Sequence, residues 1–577
     1  MASILGIDFG SDTSAISYMT DTGKIKIFTD ENDLAVVNSS LNFLKNKILL
    51  GNDAVQAKDH TFFYDSYKRN IGNDEKFIDS HNESFSVEEL SAILLSELKK
   101  RAEHQINEKI SEVVLSVPTI FNSKQRNNLK NSAKLAGLNA VRLVNDSTAD
   151  ILYYVKKHNI RRGKILAIDV GEEFLDISLA DTNDGLIEVV RSYGDYHKCG
   201  HTLTKKIRKW IIQNIELSYG NIIDKKDVNI LKRISYAAKK AKEEITQKEQ
   251  LTITLPLIGI DAQNKPVNVE LKFTQEIFNS LAKEAVNNLA MSIEEIVKKI
   301  GLNKNEIDSV LLNGGNIRIP VLKKILFKKF EDNKTIILDR LAVVKGTAIE
   351  GAIISNMIED TLLLDVLPHS LGIRDAKNKM DIFISKNSVL PTENNKIFTT
   401  SKAAQSKVSI DIYEGEHELA QSNMSLGYFT FKQLIDSNIK QPKIEIIFKV
   451  NINGSLTVIA KDTALNRKQT IVPDNLFLVS ETDLELFKKK LSNYKDINEE
   501  TAKQKNVAQK LIENHSNIVN LLVKKNLQSN QDKLCNSFAD LKKAYKTGIG
   551  LDIAINNYKN VLNDSLNNIF ATLEEKS

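Results

Sequence analysis

Cysteine is nearly absent from this sequence. Its 577 residues include two, Cys199 and Cys535. That excludes a disulfide framework or a cysteine-based metal cluster, and it suits a reducing, cytosolic compartment. Long apolar runs are missing as well. No stretch approaches the roughly 18 consecutive apolar residues that cross a bilayer, so no membrane partner is expected. The start, Met1-Ala2-Ser3-Ile4-Leu5-Gly6, lacks the basic and apolar regions of a secretory leader, and the end, Leu573-Glu574-Glu575-Lys576-Ser577, carries no retrieval or lipidation signal. A cytoplasmic location is expected. An excess of one charge is also lacking. Lys+Arg 79 against Asp+Glu 74 leaves +5, too weak a balance to argue for nucleic acid as partner. The short runs Lys156-Lys157 and Arg161-Arg162 read as a solvated loop. The 42% hydrophobic fraction supports substantial cores, and the length predicts two to four domains at roughly 150 residues each.

The chain repeats itself. Residues 4–17 read ILGIDFGSDTSAIS and residues 165–178 read ILAIDVGEEFLDIS. At a constant offset of 161, seven of fourteen positions are identical, among them Asp8/Asp169 and Gly10/Gly171. Each copy is an apolar β-type run, an Asp-x-Gly turn and a second apolar run, which predicts a hairpin with a carboxylate near its tip. A duplicated domain whose two turns face each other across a cleft would offer N–H groups to phosphates. The paired Asp8 and Asp169 would hold a hydrated divalent cation. A third element, Leu311 to Pro320, is an apolar strand entering the turn Gly314-Gly315-Asn316-Ile317-Arg318, with Pro320 near the start of a helix. Its glycines would let a planar ligand approach, and Arg318 could stack on it.

Helix and strand patterns alternate through about residue 355, which reads as α/β. Ser86-Val87-Glu88-Glu89 is a capping box. Near 360 the character changes. Asp360-Thr361-Leu362-Leu363-Leu364-Asp365 is an apolar run between carboxylates and a candidate coupling element. From about 367 to 478 residues alternate as in antiparallel strands, with a hairpin at Asn453-Gly454. No proline follows Pro473, and a helical bundle is expected there. Ser480 caps its first helix, and a break falls at Gly548-Ile549-Gly550.

These parts, in this order, resemble the seventy-kilodalton heat-shock chaperones of the DnaK type over essentially the full length. The resemblance rests on Gly6-Ile7-Asp8-Phe9-Gly10, Tyr67-Lys68-Arg69, Ser116-Val117-Pro118 through Phe121-Asn122 to Arg126, Ala136-Gly137-Leu138-Asn139, Gly314 to Pro320, Leu362 to Asp365, Ser370-Leu371-Gly372-Ile373 and Ser425-Leu426-Gly427. It implies an α/β actin-like ATPase domain of duplicated subdomains over 1–357 and an apolar interdomain linker over 358–366. An antiparallel β-sandwich that binds peptide follows over 367–478, and a C-terminal α-helical lid over 479–577. The implied function is that of an ATP-dependent chaperone for hydrophobic segments of unfolded or extended client proteins. ATP/ADP and magnesium are the cofactors, and co-chaperones stimulate hydrolysis and nucleotide exchange.

The same resemblance assigns residues. Asp8 and Asp169 would organise magnesium through water, supported by Asp176. Lys68 would stand by the γ-phosphate, and Asp146 takes a position where the family has glutamate. Gly10, Ser11, Asp12, Gly171 and Gly200 would line the phosphate turns. Lys239, Lys242 and Thr246 would face the adenosine, opposite Gly314, Gly315, Asn316 and Arg318. Pro118 and Arg126 would relay nucleotide state toward Leu362, Leu363, Leu364 and Asp365. Ile373, Phe398, Val408 and Ile410 would line the peptide pocket, with Ala376 and Ser401 arching over the peptide.

The second phosphate turn departs from the family. Gly171-Glu172-Glu173-Phe174 stands for a triple glycine and threonine. Two glutamates beside a triphosphate cost Coulomb energy, and residues with a Cβ resist a left-handed backbone. A slow or altered ATPase is expected. Ser147 replaces the family's proline, and Cys199-Gly200-His201 replaces a Gly-Gly-acid turn. A specialised member, for instance one serving iron–sulfur cluster assembly, fits the looseness of the match. The rival reading is a hydrolysis-deficient chaperone-like scaffold or partner subunit; a small-molecule kinase, a third class that shares the actin-like core, is disfavoured by the β and helical parts. Because Ala376 and Ser401 are small, peptide should be released fast. Larger side chains at both positions should slow dissociation of a labelled peptide, and unchanged rates would reject that expectation.

Overall fold

The structure, a computed structural model, describes residues 4–30, 33–57, 59–260, 265–301, 304–331, 333–399, 407–432, 443–462, 467–473 and 479–494. Of the C-terminal region it describes 507–508, 511–512, 515, 519, 528–547 and 551–574. The chain divides into two compact units. One comprises Met1–Phe28, Ala35–Leu44 and Leu49–Lys488, and the other Thr29–Leu34, Lys45–Ile48 and Lys489–Ser577.

The duplication is visible as topology. Both copies of the repeat fold as antiparallel hairpins. In the first, Leu5–Phe9 pairs with Thr13–Met19, and in the second Arg162–Val170 pairs with Leu175–Asn183. Each hairpin is then flanked in the same way. Leu5–Phe9 carries Glu112–Val117 and then Asn139–Asn145, both parallel, on its other side. Arg162–Val170 carries Ser309–Asn313 and then Thr335–Ile337, also parallel. The first sheet ends with Ile25–Ile27 and the second continues through Leu186–Asp195. These strands are apolar on both faces because helices cover them.

Two helices lie at the centre, Asp146–His158 and Ala342–Ile354, both largely buried. They cross closely at Gly346, where a Cβ would stand 2.0 Å from the Ala149 carbonyl oxygen. Ser17 Oγ donates to the Val344 carbonyl at 2.7 Å, which ties the first hairpin to the second of these helices. Ser86 caps the helix Val87–Ile106 with the reciprocal Glu89 bond expected of a capping box. Lys156 and Lys157 do not form a solvated loop. They stand in the last turn of Asp146–His158, where cations offset the helix dipole, and Lys156 pairs with Asp360 at 2.9 Å.

Beyond residue 366 the first unit is antiparallel. One four-stranded sheet orders Met380–Ile384, Leu371–Arg374, Lys407–Glu414 and Met424–Lys432. The other orders Thr392–Thr399, Lys443–Val450, Leu456–Asp462 and Arg467–Ile471. Asn453-Gly454 makes the expected turn, with Gly454 at φ +77°. Side chains of both sheets share one core, in which Phe448 is fully buried and stacked on Phe383 at 4.4 Å. In the second unit the helices Gln528–Thr547 and Leu551–Glu574 pack around Leu534, Leu541, Ile555 and Tyr558. His515 stacks on Phe538 there and shares a 2.9 Å hydrogen bond with the Tyr558 hydroxyl. Ser480 caps the helix Glu481–Leu491 by accepting from the Asp483 N–H at 3.2 Å. The expected break at Gly548-Ile549-Gly550 lies outside the described residues.

Replacing Phe448 by Ala should cost about 3–5 kcal/mol through lost burial and the cavity left between the two sheets. Urea denaturation would show it as a lowered midpoint.

Candidate functional site

The tips of the two hairpins carry a cluster of buried and half-buried acids. Asp8 and Asp169 stand near the ends of the first strands, and Asp176 faces Asp169 across the second hairpin. Asp146 and Asp150 project from the first turns of the helix Asp146–His158. Burial, with the charge of Asp146 next, pushes the Asp8 and Asp176 carboxyls up to about 7. Asp169 is also raised, by burial and then by Asp146, Asp176 and Asp8. Ser116 Oγ donates to Asp8 at 3.2 Å, and the Thr119 N–H donates to Asp176 at 2.6 Å. Lys68 is the buried cation among them, and its Nζ donates to the Phe9 carbonyl.

Asp150 was not anticipated. It is buried, accepts from Asn313 Nδ2 at 2.7 Å, and its other oxygen has no partner. Its spacing of four residues from Asp146 on a helix was the available signal. Asp146 Oδ1 and Ser11 Oγ are likewise buried without a partner. Crowded carboxyls with unmatched oxygens fit a divalent cation. Among the described residues no three His, Cys, Asp or Glu side chains converge as direct ligands.

The second turn departs from the expected strain. Neither Glu172 nor Glu173 has a positive φ, and the turn closes with the Gly171 N–H donating to the Phe174 carbonyl at 2.9 Å. Each of the three substituted residues has found a partner. Glu172 pairs with Lys242 and accepts from Thr204 Oγ1 at 2.6 Å. Burial alone would raise its carboxyl, but Lys242 holds it below the usual range. Glu173 is buried and pairs with Arg69 at 3.0 Å, with His201 Nδ1 at 3.4 Å. Phe174 packs edge-on against Phe121 at 5.6 Å and under Lys68 at 5.9 Å. In the first turn Asp12 pairs with Lys239. Lys239 and Lys242, expected at the adenosine, thus point to the two turns.

The third turn lies against the second. Gly314 has φ +90°, and a Cβ there would stand 2.4 Å from the Val170 carbonyl oxygen and 2.5 Å from Asp169 Oδ1, so glycine is required. Asn316 Nδ2 and the Gly200 N–H both donate to the Gly171 carbonyl, at 2.9 and 3.1 Å. Gly315 and Arg318 are exposed. Thr246, in the turn after the helix Val228–Glu244, donates its Oγ1 to the Glu243 carbonyl at 2.7 Å. Pro320 opens the helix Pro320–Phe330, as expected.

The apolar run after residue 360 is a strand. Leu362–Leu364 pairs in parallel with Leu186–Asp195 and fills the sixth place in the second sheet. Leu363 is buried, Leu364 half-buried and Leu362 exposed. Asp365 is buried and accepts from Asn145 Nδ2 at 3.1 Å, and Asn145 Oδ1 accepts from Arg126 at 2.6 Å. Arg126 also donates to the Phe121 carbonyl at 2.9 Å. Thr119, bonded to Asp176, follows Pro118. Two further contacts were not read from the sequence. Glu414 of the antiparallel part accepts from the Ser123 N–H at 2.9 Å, and His369 Nε2 lies 2.9 Å from the Ile120 carbonyl oxygen.

Of the peptide-pocket residues, Ile373 and Ile410 are buried in the core between the two antiparallel sheets, with Phe398 and Val408 half-buried against it. Ala376 is exposed in the turn after Leu371–Arg374, and Ser401 lies outside the described residues.

Known proteins share this sequence broadly. A family model described as Hsp70 protein matches residues 4–575. The chain is 31% identical over 535 residues to a protein named chaperone protein DnaK from Mycoplasmopsis synoviae, covering 92% of this chain and 88% of that protein. It is 33% identical over 488 residues to the DnaK of Metamycoplasma hominis, covering 84% and 81%. With the DnaK of Thermotoga neapolitana it shares 30% identity over 551 residues, covering 93% and 90%.

Glu173 provides a pH test. Burial, against the pull of Arg69, raises its carboxyl from 4.5 to about 7. Unfolding therefore releases a proton between those values. This part of the stability falls as pH rises through the window and levels off above it. Between about pH 5 and about pH 7.5, Glu173→Gln should lose less stability than the parent chain in thermal melts. Equal losses would show that Glu173 is not protonated in the folded chain.

Proposed function

The chain belongs to the Hsp70 family, and from that membership we propose that residues 1–357 are an actin-like nucleotide-binding domain, 358–366 the linker, 367–478 a peptide-binding β-sandwich and 479–577 a helical lid. The protein is an ATP-dependent molecular chaperone. Its clients are exposed hydrophobic segments of unfolded or extended proteins, with co-chaperones acting on hydrolysis and exchange. Two free cysteines suit a cytoplasmic location.

The carrying observation is continuity within one sheet. The strand bearing Asp169 and the strand Leu362–Leu364 belong to the same sheet, with two strands between them. A change at the hairpin tips therefore has a stiff route to the linker, and through Asp365, Asn145 and Arg126 to the segment 118–126.

In this reading Asp8 and Asp169 would hold magnesium through water, with Asp176 supporting that shell and Asp146 keeping a carboxylate where the family has glutamate. Magnesium would screen phosphate charge. Lys68 stands beside the γ-phosphate and helps place the attacking water, since charge placement carries most of phosphoryl transfer. Gly10 and Ser11 offer backbone and hydroxyl groups to phosphate, beside the turn at Gly171. Gly314, Gly315, Asn316 and Arg318 flank the nucleoside, with Thr246 opposite. Pro118 and Arg126 relay the state of the cleft to the linker. Ile373, Phe398, Val408 and Ile410, with Ala376 and Ser401, contact peptide. The carboxylates of the second turn make the ATPase slow.

Single-turnover hydrolysis and stopped-flow release of a labelled hydrophobic peptide test this together. Lys68→Ala should slow hydrolysis by about 100-fold or more. Leu363→Asp should leave nucleotide binding in place and abolish ATP-driven peptide release. Release at the parent rate from that variant would reject the coupling role of the linker.

A further inference from the structure

The third turn is tied down at both of its ends. Asn313 Nδ2 donates to Asp150 Oδ1 at 2.7 Å, and Asn316 Nδ2 donates to the Gly171 carbonyl at 2.9 Å. Between these anchors the two glycines differ. A Cβ at Gly314 would run into Val170 and Asp169, whereas one at Gly315 would meet nothing within 4 Å. The turn therefore has a crowded side, against the strand of Asp169, and an open side at Gly315. The Asp150 anchor is itself fixed. Just before it in the helix Asp146–His158, Ser147 Oγ and Ser178 Oγ share a 2.8 Å hydrogen bond, and the Ala149 carbonyl lies against Gly346. Asp150 is 1% exposed, and its second oxygen has no partner among the described residues. An unmatched buried oxygen costs stability, so packing gives no account of an acid at this place. The bond to Asn313 does, because Asn313 is the last residue of its strand and stands opposite Asp169 in the register.

We infer that Asp150 is a positioning residue of the nucleotide cleft: through Asn313 it sets the third turn so that the open side at Gly315 receives the nucleoside. The inference rests on the nucleotide reading above. Asp150 touches no ligand in this role. It acts by fixing where the chain leaves the sheet, and a site held in place before binding loses less on taking up its ligand. What the bond requires of residue 150 is an accepting oxygen and not a charge. An asparagine side chain there offers the same oxygen to Asn313, and an alanine offers none.

Calorimetric titration of the full chain with adenosine in the absence of magnesium tests this, since adenosine has no phosphate and needs no cation. Asp150→Ala should weaken adenosine by about tenfold. Asn313→Ala, which removes the donor of the same bond, should weaken it by a similar factor. Asp150→Asn should bind adenosine as the parent does. Parent affinity in either alanine variant overturns the inference and leaves the chaperone reading intact. Asp150→Asn as weak as Asp150→Ala overturns it as well, because the charge and not the bond would then matter. If Asp150→Ala does not fold, Asn313→Ala and Asp150→Asn decide on the same terms. Titration of the parent with ADP and magnesium separates the two readings. A parent that binds ADP but no adenosine overturns the inference alone, and one that binds neither overturns the nucleotide reading with it.

Discussion

Crowded negative charge, buried where two duplicated hairpins meet, is the constraint on which the rest of this molecule depends. Asp150, Asp169 and Asp176 are buried and Asp8 is half-buried; removal from water, and after it the neighbouring charges, that of Asp146 among them, raises all four carboxyls. Among the described residues, Lys68 is the buried cation within the cluster. Such an arrangement costs free energy that packing elsewhere must offset. Two similarly ordered sheets, crossed by the helices Asp146–His158 and Ala342–Ile354, supply that packing. Strongly shifted acids of this kind concentrate at working sites rather than structural ones.

The second turn shows how a change in sequence is absorbed. Glycines at Glu172 and Glu173 would leave Lys242 and Arg69 without the carboxylates they now hold. Phe174, in place of a hydroxyl, reaches Phe121. That residue belongs to the segment whose backbone carbonyls meet Arg126 and His369. Three adjacent substitutions thus touch both the charge balance at the hairpin turns and the segment 120–123 that meets Arg126 and His369. The same electrostatics explain why Lys239 and Lys242 turn to carboxylates: a lysine removed from water is stabilised by the nearest anion, and the chain supplies one from each turn.

The strand Leu362–Leu364 is held to the second sheet by backbone pairing rather than by side chains alone. As a parallel edge strand it covers the exposed edge of Leu186–Asp195, which would otherwise present unpaired N–H and carbonyl groups. Asp365, buried at its end, finds Asn145 and the Val366 N–H. Glu414 and His369 add contacts from the antiparallel part to the segment 120–123.

Local patterns settled a good deal unaided. The repeated Asp-x-Gly hairpins, the capping boxes at Ser86 and Ser480, the helix start at Pro320 and the Asn453-Gly454 turn follow from short-range backbone preferences, and so they are legible from residue order. The order of α/β, antiparallel and helical parts follows from hydrophobic period for the same reason. Partners distant in the chain are not legible this way. Lys156 in a helix end, the Glu172–Lys242 and Asp12–Lys239 pairs, Asp150 against Asn313 and Glu414 against Ser123 each depend on which surfaces the two sheets bring together. Charge burial acts through space, and only the tertiary fold decides which anion stands beside which cation.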